Sequence, residues 1–191
     1  MGKYTRIPAN TFASLQTNAG VLLNKFDITG AKPPVEADFI SATKGGIEAS
    51  CKMTLKDLGE EIDNAPKNCK ELQIIENWEC KLSATLVGAT KENIALMLGA
   101  GTVNTTPTSK GEVTPRTALQ ITDFIDLWWV GDRSDGGTYA INLKNALSTG
   151  GFSLKTADKG NGEFAFEATG FFSLAKQDEV PMEFFVQEPV N

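Results

Sequence analysis

Two runs of strict alternation, joined by a long polar connection, constrain this chain most. Ile47, Ala49, Cys51, Met53 and Leu55 alternate with Glu48, Ser50, Lys52, Thr54 and Lys56. Trp78, Cys80, Leu82, Ala84 and Leu86 alternate with Glu79, Lys81, Ser83 and Thr85. A period of two puts each set on one face of an extended strand, whereas a helix would scatter it around the circumference. Both segments therefore read as strands with one apolar face and one face fit for water. A two-residue turn would suffice to join them. Instead a charged stretch without apolar periodicity intervenes, carrying Asp57, Glu60, Glu61, Asp63, Asn64, Lys67 and Lys70.

Further strands follow from the same period. Leu22, Phe26 and Ile28 share a face, as do Leu119, Ile121, Ile125, Leu127 and Trp129. Tyr139, Ile141 and Leu143 form another set, and Phe164, Phe166, Ala168, Phe172 and Leu174 a fourth, with Gly170 as a bend or bulge. Phe152 and Leu154 suggest a short strand. The turn-rich stretches 131–137 and 158–162 read as hairpin connections.

One short helix is expected after Thr90. Thr90 is suited to the N-cap, Glu92 to the first turn, and Ile94, Met97 and Leu98 to one apolar face, with Gly99 and Gly101 as the stop. The Thr- and Pro-rich segment from Thr102 to Thr117 reads as a loop with a short strand near Thr102 to Thr105, and Lys32-Pro33-Pro34-Val35 as another loop. With no linker or long repeat evident, residues 1–191 read as one domain. The predicted class is mainly β: an antiparallel β-sandwich or barrel-like domain with one short flanking α-helix and long extended loops.

Candidate chemistry is sparse. The chain has no histidine, which removes the commonest general base and the usual nucleophile–histidine pairs. Cys51, Cys69 and Cys80 show no CxxC spacing and read as reduced thiols. Glu60, Glu61 and Asp63 could in principle serve a hydrolase or hold calcium, but their spacing does not match an EF-hand loop. The segment from Asp132 to Gly137 could hold a small cation, and a hairpin turn accounts for it without one. Trp128 and Trp129 fall on opposite strand faces, which suggests one core indole and one exposed anchor of the kind found at interfaces and sugar platforms. No catalytic set, cofactor site or metal site is indicated, and an enzyme is not expected. The formal charge of −6 and pI near 4.8 argue against gripping nucleic acid through its phosphates. The polar N-terminus carries no secretory h-region, and no apolar run approaches the about 20 residues of a membrane helix.

The order of segments resembles that of tail tube (major tail) proteins of tailed bacteriophages. The strand Ile47 to Leu55 is followed by "IDNAPKNCKEL" and "IENWECKLSATL", then by a helix after "GAT" and a loop with "TPR". After these come "LQITDFIDLWWVG" and "NALSTGGFSLKTADKGNGEFAFEATGFFS", so the resemblance spans roughly Val21 to Phe185. It implies a structural subunit that forms hexameric rings stacked into a hollow tube, located in the virion tail and made in the host bacterial cytoplasm. Amphipathic hairpins would line the lumen, through which DNA passes without specific binding. Tape measure, tail tip and terminator proteins would be further partners, and no membrane is involved. On that reading, Asp57, Glu60, Glu61, Asp63, Asn64, Lys67 and Lys70 form an inter-subunit loop that orders against a neighbour. Glu48, Ser50, Lys52, Thr54, Glu79, Lys81, Ser83 and Thr85 face the lumen. An ordinary surface loop and the wet face of an ordinary sandwich explain the same residues. A monomeric carbohydrate-binding β-sandwich, using Trp128 or Trp129, is the alternative function.

Overall fold

The structure is a computed structural model that describes residues 4, 7, 8, 10–30, 32–104 and 112–189. Its strands are β1 (Val21–Leu23), β2 (Thr43–Asp57), β3 (Gln73–Leu86), β4 (Gly101–Val103), β5 (Val113–Pro115), β6 (Ile125–Asp132), β7 (Thr138–Ser148), β8 (Ser153–Lys155), β9 (Glu163–Gly170) and β10 (Met182–Gln187). One helix, α1 (Lys91–Leu98), follows β3. The main sheet runs β1-β6-β7-β9-β3-β2, with β10 added to β7 and β8 to β9; β4 and β5 form a separate pair. Every pairing is antiparallel, so the fold is mainly β and sandwich-like, as the alternation predicts.

β7 changes partner partway along its length. Thr138 to Leu143 pair with β10, and Ala146 to Ser148 pair with β9. The switch falls at Asn145, whose φ of 47° is left-handed. Asparagine tolerates that region better than most residues. Its amide N–H donates to Asp126 Oδ1 at 3.1 Å and its side-chain Nδ2 to the Phe171 carbonyl at 3.0 Å. The kink thus finds polar partners, and a single strand serves two sheet edges.

The core gathers Leu22, Ile40, Cys80, Leu82, Leu86, Met97, Leu127, Leu143, Ala146, Phe166, Ala168 and Met182. Apart from Ile40, which lies just before β2, these come from β1, β3, β6, β7, β9, β10 and α1, so the sheet and the docked helix bury one common cluster. The helix forms as its sequence suggests. The Asn93 N–H donates to Thr90 Oγ1 at 3.2 Å, and Gly99 ends the helix at φ 71°. Met97 is buried, and Asn93 beside it donates to the Ile40 carbonyl at 2.7 Å, which ties α1 to the segment before β2.

Several strands are shorter than expected. β1 stops at Leu23, because the chain turns to bond elsewhere: Asn24 N–H donates to Asp38 O and Ile40 N–H to Leu22 O. Phe26 and Ile28 therefore lie outside it. β6 begins only at Ile125; Ile121–Asp123 is a 3-10 turn, and Leu119 and Ile121 are exposed. β9 ends at Gly170, leaving Phe172 and Leu174 exposed beyond it. Within β7, Ala140, Asn142 and Leu143 are buried, while Tyr139 and Ile141 are half-buried. The expected short strands appear as β8 and as β4 against β5; Thr105 lies outside the described residues.

Candidate assembly surface

The β2–β3 hairpin is much longer than the sheet that carries it. β3 pairs with β9 only from Lys81 to Leu86, whereas it pairs with β2 from Gln73 to Leu86. Gln73 to Cys80, with Cys51 to Asp57 opposite, therefore form a two-stranded arm beyond the third strand. The register places Ile47, Ala49, Cys51 and Met53 opposite Ala84, Leu82, Cys80 and Trp78 on one face. A register shift between Thr54 and Leu55 skips Glu76 and sets Leu55 opposite Ile75, so an apolar pair extends this face towards the tip.

Burial divides the apolar face in two. Near the sheet, Leu82 and Cys80 are fully buried, and Ile47, Cys51, Ala84 and Trp78 pack on the core. Along the arm, Met53, Leu55 and Ile75 are 53%, 47% and 52% exposed. Leu58 and Ile62 in the connection, and Ile74 on β3, are also exposed. An isolated two-stranded hairpin is marginal in water, and large exposed apolar patches are common at contact surfaces. β2 is also the terminal strand of its sheet, with one backbone edge unpaired among the described residues.

The eight residues predicted for a lumen do share one face. Glu48, Ser50 and Lys52 stand opposite Ser83, Lys81 and Glu79; Thr54 stands opposite Asn77, and Thr85 opposite Lys44. The row continues onto β9, where Glu167 lies opposite Ser83 and Thr169 opposite Lys81. Lys81 Nζ reaches Glu79 Oε1 at 2.6 Å and Glu167 Oε1 at 3.7 Å. The Glu79 carboxylate raises the Lys81 ammonium above its ordinary value, and Lys81 lowers Glu79. Glu48 and Glu79 balance Lys52 and Lys81, so the chain's acidity is not concentrated on this face.

The connection at the arm's tip is organised by its first residue. Asp57 Oδ1 accepts from the Gly59 N–H at 2.8 Å and Oδ2 from the Asn68 N–H at 2.9 Å. These two donors hold the Asp57 carboxyl below its ordinary value. Leu58 N–H donates to Leu72 O, closing the base of the loop, and Asn64 and Asn68 take left-handed turns at φ 63° and 59°. The stretch follows a hydrogen-bonded path within the single chain. Glu60, Glu61, Asp63, Asn64, Lys67 and Lys70 remain exposed around it. Glu60, Glu61 and Asp63 do not converge; among the described residues no group of three acids, cysteines or histidines is placed to hold a metal ion.

The other candidates have structural partners. Trp128 lies between Phe26 and Phe185, with ring centroids 5.6 Å from each. Trp129 packs on the core and donates its indole N–H to Ala19 O at 3.0 Å. The expected split into one core indole and one exposed anchor is thus replaced by two half-buried indoles. In the turn between β6 and β7, the guanidinium of Arg133 occupies the place considered for a cation. It donates to Asp135 Oδ2 at 2.6 Å and to Glu188 Oε1 at 3.1 Å, and lies over the Tyr139 ring.

The alternation pattern does not single out the bare apolar residues of the arm, above all Ile74 and Ile75. Their adjacency breaks the alternation, and that break was the available signal for the register shift. No protein-family model matches the chain, and no characterised protein matches its sequence.

Proposed function

We propose that this chain is the structural, self-assembling subunit of a bacteriophage tail tube, forming hexameric rings that stack into a hollow conduit for DNA. The observation that supports it best is the β2–β3 arm. Its apolar face continues past the core and is left bare at Met53, Leu55 and Ile75, while its other face is polar throughout Glu48–Thr54 and Glu79–Thr85. Side-by-side arms from successive copies would pair the open edge of β2, and the body of an adjacent copy would cover the apolar face. A closed barrel of such hairpins has no edges and turns its polar rows inward. A wet, charge-balanced lining without a basic cluster avoids counterion-release binding to DNA. The exposed acids and lysines of the tip loop, from Glu60 to Lys70, would then contact the adjacent copy or the next ring. On this reading the protein has no enzymatic activity and takes no cofactor. It meets the tape measure, tip and terminator proteins in the lumen and at the tube's ends, resides in the virion tail, and is made in the host bacterial cytoplasm.

Hydrogen exchange on monomer and assembled material tests this assignment. Amides of residues 51–57 and 73–79 are expected to gain protection on assembly, and those of α1 to change little. Assembly that protects some other surface and leaves the arm unchanged would contradict it.

A further inference from the structure

Cys51 and Cys80 are direct partners in the β2–β3 ladder, and their Sγ atoms lie 3.3 Å apart. Both thiols are free. Directly opposed residues of an antiparallel pair hold their Cα atoms about 4.5–5.5 Å apart, within the about 4.4–6.8 Å that a disulfide spans. From 3.3 Å the two sulfurs need approach by only about 1.2 Å to reach bonding distance.

Their position gives the pair a consequence. Cys80 is the residue before Lys81, where pairing of β3 with β9 begins. The two thiols therefore mark the root of the arm. Cys51 is half-buried, whereas Cys80 is fully enclosed. The third cysteine is apart from them in the tip connection, where the Cys69 thiol donates to Glu71 Oε2 at 3.2 Å.

We infer that Cys51 and Cys80 form an oxidation site, closed to a cross-strand disulfide by a small-molecule disulfide such as oxidised glutathione. The Cys51 thiolate attacks one sulfur of the reagent; a mixed disulfide forms, the reagent's S–S bond breaks, and one glutathione thiolate leaves and takes a proton. Cys80 then attacks Cys51 Sγ, the mixed disulfide breaks, and a second glutathione leaves with the proton lost by Cys80. The protein gives up two protons and two electrons, and the reagent becomes two thiols. Burial, reinforced by the neighbouring Cys51, pushes the Cys80 thiol up to about 12, which makes it a poor first nucleophile. Its enclosed contact with Cys51 gives it the second step, where proximity offsets a small thiolate fraction. The resulting rung fixes the register at the point where a one-residue slip would exchange the arm's polar and apolar faces.

The test is incubation of the full native chain with oxidised glutathione, followed by intact mass, thiol titration and a non-reducing peptide map. The expected result is loss of two hydrogens, a fall from three thiols to one, and a cross-linked peptide joining Cys51 to Cys80. Cys69→Ser leaves this reaction intact, and Cys51→Ser leaves Cys80 unmodified. A persistent glutathione adduct on Cys51 without closure, a bridge to Cys69, or three unchanged thiols would overturn it. None of these outcomes depends on whether the chain builds tubes.

Discussion

Met53 and Trp78 face each other across the β2–β3 ladder, yet the indole packs on the core and the methionine is 53% exposed. The boundary of the domain passes between these two side chains. Nearer the sheet, the hairpin's apolar residues serve folding; further out, the same face stays about half-exposed at Met53, Leu55 and Ile75. Burying an apolar side chain of this size is worth about 1.5–3 kcal/mol. On the proposed reading, this uncovered surface is what adjacent copies would bury.

Leu55→Lys separates association from folding. Leu55 is half-exposed and its cross-strand partner Ile75 is equally bare, so the stability of the monomer is expected to change by no more than about 0.5 kcal/mol. A charge on the arm would have to be desolvated on contact, and assembly is expected to fail. Urea unfolding and sedimentation velocity on the same sample check both halves. A variant that assembles as well as wild type would remove the arm from the interface.

The tip loop should respond to acid through Asp57. Its folded-state value lies below the ordinary 3.8 because the Gly59 and Asn68 N–H groups favour the carboxylate. A lowered value means that the contribution is fully present above the unfolded value and is lost as pH falls through the folded one. Carboxyl NMR titration should place the Asp57 midpoint below 3.8. The backbone signals of Gly59 and Asn68 should shift along the same curve. Asp57→Ala at neutral pH should expose the segment from Glu60 to Lys67 to proteolysis. A midpoint at or above the ordinary value would show that the two hydrogen bonds are not held in solution.

Gly170 is required for a reason other than turning. A Cβ there would lie 2.7 Å from Leu143 Cδ1 and 3.0 Å from the Pro181 carbonyl oxygen, at the place where β7, β9 and the approach to β10 meet. Gly170→Ala should cost about 1–3 kcal/mol through overpacking, read as a lower urea midpoint. An unchanged midpoint would mean that the junction has room the structure does not show.

The polar face of the hairpin tests the conduit. Glu79→Lys deletes the carboxylate that holds Lys81 and leaves three ammonium groups, with Lys52, where two are balanced now. Assembled variant tubes should retain double-stranded DNA with an affinity that falls steeply with salt, and wild-type tubes should not. Equal retention by both would place this face away from the lumen.

The parts of the fold most legible in the sequence were those where local chemistry and tertiary packing agree. Alternation at Ile47–Leu55 and Trp78–Leu86 gave the two long strands, and Thr90 with Gly99 gave the helix its ends. Where alternation is broken, tertiary contacts decide. Phe184, Phe185 and Val186 run together without a period, and the strand β10 that contains them exists because β7 offers an edge. Leu119, Ile121, Phe172 and Leu174 look like strand residues by composition, but among the described residues no neighbouring strand pairs with them. Of the candidate assembly surface, the common face of the eight polar residues followed from period two. Which half of the opposite face lies bare did not, because it depends on where β9 stops pairing with β3.

Self-assembly is read out by negative-stain electron microscopy of the purified chain, concentrated and incubated for days. Wild-type protein is expected to form hollow tubes or stacked rings of uniform diameter, and Leu55→Lys none. Wild-type protein that stays monomeric under those conditions, or that forms only amorphous aggregate, would contradict it.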